Sequence, residues 1–301
     1  MRGRVRRVVG PGLVVVAVVG CGPTAADTPV DPISVEIFAR GVVSSTDPEF
    51  ATAFTPSGDT VFFNRTPPGR SRLELWVAVR EGDRWGEPSP VPATVGMGAV
   101  DPFVSSDGAT LWFSSGAPLD GAPSGDFNLW TLSRPPDGWT GTPVAVPRPV
   151  RSDSSEAFNT LTDDGLLVFG STRDGERSIW TSRRSDDGWS EPTVLTLGGT
   201  TAASNPAIRR DGSLLVFARR GEAGDPDLWV ACREDGGWGE PIRLPEPINS
   251  RWADFAPAFG PEHLYFTSER PGVVGPVADS IRPPGDIWRT PSQVVDGLCG
   301  G

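Results

Sequence analysis

Three acids stand at one recurrent place in this chain. Glu49, Glu156 and Asp254 each lie three residues before the same position of a repeated pattern, and Asp101 lies close to it. Arg65, Arg173, Arg219 and Arg270 follow the second apolar run of their own repeats. Carboxylates mixed with guanidinium forks suit a polar ligand. Two of these carboxylates about 5–5.5 Å apart would suit retaining glycoside hydrolysis, and about 6.5–9.5 Å apart inverting hydrolysis. The plainer reading is that each acid pairs with an arginine, or caps a loop, as part of the repeat. A single histidine, His263, excludes sites built on two imidazoles, and neither a Gly-x-Ser-x-Gly elbow nor a phosphate-binding loop is present. No metal site and no cofactor are expected. The remaining chemistry belongs to Cys21, Cys232 and Cys299.

The framework that positions these residues must be rich in strands and turns. Among 301 residues, 37 Gly and 32 Pro make up nearly a quarter of the chain, about twice the ordinary share. A mostly helical protein is therefore excluded, while 11 Trp and 14 Phe supply enough apolar volume for a large core. All 27 basic residues are arginine, and 38 acids set the net charge at −11, so a nucleic-acid partner is not expected.

Arg2, Arg4, Arg6 and Arg7 precede an apolar stretch from Val8 to Gly20 that ends at Cys21. This is the pattern of an export signal, too short to span a bilayer, which takes about 20 apolar residues. Val18-Val19-Gly20-Cys21 resembles a bacterial lipobox, which implies a signal over residues 1–20 and lipidation of Cys21. An ordinary secretory signal, or a misassigned start, is the alternative. Residues 21–31 then form a flexible tether, and 32–301 a single domain. Removing the four arginines of the signal takes the charge from −11 to −15. Export places Cys232 and Cys299 in an oxidising compartment where they can pair, although spacing alone leaves a free Cys232 and a frayed Cys299 equally open. The expected location is the cell envelope, at the outer membrane if the host has one.

Five blocks follow, each running apolar strand, Asp-Gly-like turn, apolar strand, loop and a strand ending in Trp. Block two reads Pro102-Phe-Val-Ser-Ser-Asp107-Gly108, Leu111-Trp-Phe113, Asn128-Leu-Trp130 and Gly138-Trp139; block four reads Pro206-Ala-Ile-Arg-Arg-Asp211-Gly212, Leu214-Leu-Val-Phe217, Asp227-Leu-Trp229 and Gly237-Trp238. Tryptophans 76 and 85, 130 and 139, 180 and 189, and 229 and 238 are each nine residues apart. Such constancy across a short turn is what a hairpin demands, because one inserted residue flips every later side chain to the other face. The four strands of a complete block are designated a to d; block five ends after its Trp288 strand without a strand d. Strand b is apolar on both faces and must lie between sheets, whereas strand d carries Pro and charge and belongs on an outer edge.

At these residues the chain resembles the WD-like β-propeller repeat family found in the TolB propeller, over roughly residues 47–290. The motif is Pro-x-Φ-x-x-Asp-Gly-x-x-Φ-x-Phe followed by Asp-Φ-Trp. Block one departs from it with Ser57-Gly58-Asp59, block three with Asn159 for Pro, and block five with no Asp-Gly. The resemblance implies an all-β five-bladed β-propeller in which the N-terminal strand, within residues 33–43, closes the last blade; six blades, as in TolB itself, are the alternative. Loops d–a and b–c share one face, and the interval from the strand b Phe to the strand c Trp varies as 13, 17, 11, 12 and 22 residues. Variable loops on a fixed scaffold are where binding resides. The expected function is a non-catalytic, monomeric exported lipoprotein. It would touch the membrane only through its lipid and bind a protein, peptide or envelope glycan through that face. The alternative is a five-bladed glycoside hydrolase-like enzyme using two carboxylates from Glu49, Glu156 and Asp254 as acid and base or nucleophile.

Overall fold

The computed structural model describes residues 33–66, 72–119, 125–135, 138–221, 224–275 and 283–300. The export signal, Cys21 and the tether lie outside them. The described residues fall in one compact unit, Ile33–Gly301.

Five antiparallel sheets form the five blades of a β-propeller. Strands a, b and c are Glu49–Phe54, Thr60–Arg65 and Leu75–Glu81 in blade 1, and Val100–Val104, Thr110–Ser115 and Asn128–Ser133 in blade 2. They are Glu156–Leu161, Leu166–Ser171 and Ser178–Ser185 in blade 3, Ser204–Ile208, Leu214–Arg220 and Pro226–Glu234 in blade 4, and Asp254–Phe259, His263–Ser268 and Asp286–Pro291 in blade 5. In every blade the strand b Phe sits directly opposite the strand c Trp: Phe63 and Trp76, Phe113 and Trp130, Phe169 and Trp180, Phe217 and Trp229, Phe266 and Trp288. All five of these Phe are fully buried.

Closure follows the expected route. Glu36–Ile37 pairs antiparallel with strand c of blade 5, Ile37 opposite Trp288, and so supplies that blade's strand d. An ion pair of Glu36 with Arg289 at 2.6 Å reinforces the join, and no open edge is left at the seam.

Strand d departs from the uninterrupted hairpin partner expected of it. In blades 1, 3 and 4 the second Trp lies on a two-residue strand, Arg84–Trp85, Gly188–Trp189 or Gly237–Trp238, that closes the tight turn. Pairing resumes at Ser89–Pro90, Thr193–Val194 and Ile242–Arg243, opposite the first Trp. Pro88, Pro192 and Pro241 lie between the two pieces and have no N–H to extend the ladder. Blade 2 keeps only Val144–Ala145, after Pro143.

The second Trp of one blade wedges against strand b of the blade before it. Trp139 meets Phe62 edge-on at 5.2 Å and Trp189 meets Trp112 at 6.0 Å. At the seam Trp85 packs edge-on against Phe38, which follows the closing strand, at 5.6 Å and against Phe54 of its own blade at 6.3 Å. Blade 5 has no such Trp. A C-terminal helix, α1 (Gln293–Cys299), takes its place, packing Val294, Val295 and Leu298 against Val216 and Leu264 between blades 4 and 5.

The two cysteines left open by their spacing are joined. Cys232, on strand c of blade 4, and Cys299, at the end of α1, form a disulfide across 67 residues. Closing a loop of that length in the unfolded chain stabilises a fold by about 4 kcal/mol. Cys299→Ser, or reduction of the unaltered protein, is therefore expected to lower the thermal midpoint by several degrees. A midpoint unmoved by reductant, or two titratable thiols in the native oxidised protein, would refute that role for the bond.

Candidate functional site

The three recurrent acids and their arginines form one device repeated in three blades. Arg65 Nε donates to Glu49 at 2.8 Å, Arg270 Nη2 to Asp254 at 2.7 Å, and Arg173 Nη2 to Glu156 at 3.3 Å. Each carboxylate is 0 % exposed. The same guanidinium stacks on the strand b Phe and strand c Trp of its own blade, for example Arg173 over Phe169 at 5.3 Å and Trp180 at 5.0 Å. It also donates to backbone carbonyls of the preceding d–a loop: Val42 and Val43, Pro149 and Val150, or Pro247 and Ile248. A serine four residues before each acid, Ser45, Ser152 or Ser250, donates both N–H and O–H to it. The arrangement pins the chain where it crosses from one blade to the next, and in each blade the acid faces its own arginine.

Blade 4 has half of the device. Arg219 stacks on Phe217 and Trp229 and donates to the Leu197 carbonyl, but Ala203 stands where the acid would be. Burial lowers the Arg219 pKa, and the charge of Glu240 partly offsets this. Blade 2 has neither group. Ala99 holds the acid position, and the Ser115 hydroxyl donates to the Met97 carbonyl.

Asp101 lies two residues beyond the acid position, in a different structural role. It is one of five non-glycine residues held at positive φ on the innermost strands, with Ala51, Phe158, Asn205 and Ala256, at φ from 46° to 55°. Each marks a bulge in the innermost strand, where the a–b register shifts. Together these residues and their successors line a narrow axial channel with spaces of about 30 and 60 Å³, room for one or two waters each. Side chains from the neighbouring blade receive two of the bulge amides: Asn64 Oδ1 that of Asp101, and Thr267 Oγ1 that of Ala51. Asp101 Oδ1 has no hydrogen-bond partner, nor do both side-chain polar atoms of Asn159, Asn205 Nδ2 and Thr52 Oγ1. Burial pushes the Asp101 carboxyl up to about 7. The Ser114 hydroxyl, near it but outside hydrogen-bond geometry, the Arg177 charge and the Phe158 amide pull the other way. Among the described residues no group of three or more His, Cys, Asp or Glu forms a metal cage.

Above the channel, on the d–a/b–c face, Phe50, Ala51, Val100 and Ala256 form a buried cluster, and half-buried Leu73, Phe127, Phe158 and Phe255 cap it. Sequence reasoning missed this apolar mouth and the bulges beneath it. The serine four residues before each acid was a readable sign of the ion-pair device. The bulge residues share no type, so no local pattern announced them.

Burial also raises Glu49 to about 7, against lowering by Ser45 and Arg65, and Asp286 to about 6. A carboxyl whose pKa is higher folded than unfolded binds more protons in the native state between the two values. Stability then falls as pH rises through that window. The exposed turn acids Asp59, Asp107 and Asp164 are shifted down and act only at lower pH. The thermal midpoint is expected to be a few degrees higher at about pH 5.5 than at about pH 7.5, and Asp101→Asn to shrink that difference. Equal midpoints, or the opposite order, would show that these carboxylates are ionised in the fold.

No family model and no curated protein matches the chain by sequence. Among solved structures, a putative TolB from Agrobacterium tumefaciens is similar to it at 20 % identity with a TM-score of 0.51, over 78 % of this chain and 77 % of that one. The catalytic domain of a GH62 α-L-arabinofuranosidase from Coprinopsis cinerea is similar at 15 % identity with a TM-score of 0.51, over 90 % and 94 %. A GH62 hydrolase crystallised with xylotriose has 11 % identity and a TM-score of 0.50, over 83 % and 92 %. At these identities the likeness is one of fold. The described residues form a five-bladed TolB-like propeller in which no helix is long and apolar enough to cross a membrane.

Proposed function

We propose that this chain is a non-catalytic, exported lipoprotein of the cell envelope, anchored through Cys21, whose d–a/b–c face binds a protein, peptide or glycan. The supporting observation is the half-buried apolar mouth of Leu73, Phe127, Phe158 and Phe255, contributed by four blades and set among loops of unequal length. Aromatic rings around a recess suit an apolar side chain of a partner or the face of a sugar. Fixed strands below and varied loops above are the arrangement in which one scaffold serves different ligands.

Hydrolysis is the less favoured reading because of how the acids are engaged. A general acid must give its proton to the leaving group, and a nucleophile must reach the sugar. Glu49, Glu156 and Asp254 are each buried against an arginine and a serine. Asp101 alone keeps an unpartnered carboxylate oxygen in the channel, and a glycosidase of either stereochemistry uses two carboxyl groups.

Three outcomes are expected. Protein lacking residues 1–21 hydrolyses no envelope or plant glycan, and Glu156→Gln lowers its stability by about 3 kcal/mol by leaving Arg173 without its carboxylate; turnover abolished by that substitution would establish an enzyme instead. Cys21→Ser moves the protein from the membrane fraction to the soluble one, and retention in the membrane would remove the lipid anchor from the proposal. A photo-cross-linker at Phe158 captures an envelope component that one at Asp187, on a c–d turn, does not; the reverse pattern would place binding on the other face.

A further inference from the structure

The face opposite the apolar mouth carries a recess of about 380 Å³, formed by the a–b turns of blades 1, 4 and 5 and the start of α1. That volume lies within the ~300–1,000 Å³ that small-molecule sites occupy. Phe54, Phe259, Pro56 and Pro261 supply apolar surface, and Arg209, Arg210 and Asp296 supply charge.

The two arginines differ in what they face. Arg209 is ion-paired with Asp296 and lies over the Phe259 ring at 5.3 Å, so its charge is answered. Arg210 forms no ion pair with any described carboxylate. Its Nη2 donates to the Val104 carbonyl at 3.3 Å, its guanidinium lies 5.9 Å from the Phe103 centroid, and its Nη1, shielded from solvent where the side chain also borders the axial channel, has no partner. Asp163 and Asp107 act on it only at longer range, and burial disfavours its charge. The chain carries a net −11, yet this recess presents one guanidinium in excess beside two phenyl rings. A half-buried cation is stabilised by a counter-charge, and a planar fork donates best to a carboxylate. Asp296 and the helix start at Ser292 form one wall, and the Cys232–Cys299 bond ties that helix to blade 4, so the wall is fixed while the disulfide is intact.

We propose that this recess binds an amphipathic monoanion, a carboxylate on an apolar or aromatic body, with the anionic group on Arg210 and the body between Phe54 and Phe259. The site is separate from the loop face and does not depend on the function proposed for that face.

The test uses the full-length protein and two probes of matched shape, 3-phenylpropanoate and the neutral 3-phenylpropanol, titrated by calorimetry. The carboxylate is expected to bind at least about tenfold more tightly than the alcohol. Arg210→Gln should abolish that preference, and Ser292→Trp, which fills the recess from the α1 wall, should abolish binding of both probes. Equal affinity for the two probes, or no binding of the carboxylate at about 10 mM, would overturn the proposal. If Arg210→Gln does not fold, Ser292→Trp still decides, because unchanged carboxylate affinity in that variant places the ligand elsewhere.

Discussion

The interaction on which the propeller depends is the arginine held between the strand b Phe and the strand c Trp. It is present in four of the five blades, as Arg65, Arg173, Arg219 and Arg270. A propeller must cross from the outer edge of one blade to the inner strand of the next, and that crossing has no ladder to hold it. The arginine reaches from the end of strand b to carbonyls of the d–a loop and, in three blades, to the first residue of strand a. Only a guanidinium can do this, because its flat face stacks on aromatic rings while its edge donates several hydrogen bonds in a plane. An ammonium would satisfy the carbonyls and lose the stacking. In the three complete devices the guanidinium faces a carboxyl group that is itself held by serine, so buried polar groups that would otherwise be costly have their hydrogen bonds satisfied.

This constraint explains why the acids recur, and it separates recurrence from chemistry. A residue repeated at one place in a symmetric fold is most simply serving the fold. The asymmetric positions are more informative. Blade 2 replaces the whole device with Ala99 and Ser115, and its channel residue is Asp101, the one charged member of a ring otherwise made of Ala, Phe and Asn. Blade 5 replaces the inter-blade Trp with a helix, and that exception creates the wall of the Arg210 recess.

The fold was legible because its strongest determinants are local and periodic. The nine-residue tryptophan spacing, the Asp-Gly turns and the double-sided apolar strand b each report backbone geometry directly, and the N-terminal closing strand followed from a blade one strand short. Strand d was legible as an edge but not as two pieces, since the effect of Pro88, Pro192 and Pro241 on pairing depends on where the partner strand offers its carbonyls. Helix α1 was not legible. Seven residues containing Gly297 have little intrinsic helicity, and the helix is held by burial of Val295 and by the disulfide, both long-range. The five bulges were hidden for a related reason: left-handed φ is unfavourable for Ala and Phe, so tertiary packing imposes it.

Holding five non-glycine residues in that conformation costs on the order of 1 kcal/mol each, and the ring bears it because the bulge solves a geometric problem. In regular register the side chains of strand a would alternate between the two faces of the blade along its full length. The bulge breaks that alternation at the second or third residue and places that residue and its successor beside the axis. Where the residue is Ala51 or Ala256 the axis stays open, and where it is Phe158 a ring is directed to the mouth. The same distortion that lets the inner strands converge thus determines what the d–a/b–c face presents to a partner, and the identity of one residue per blade sets whether that centre is apolar, as at Phe158, or acidic, as at Asp101.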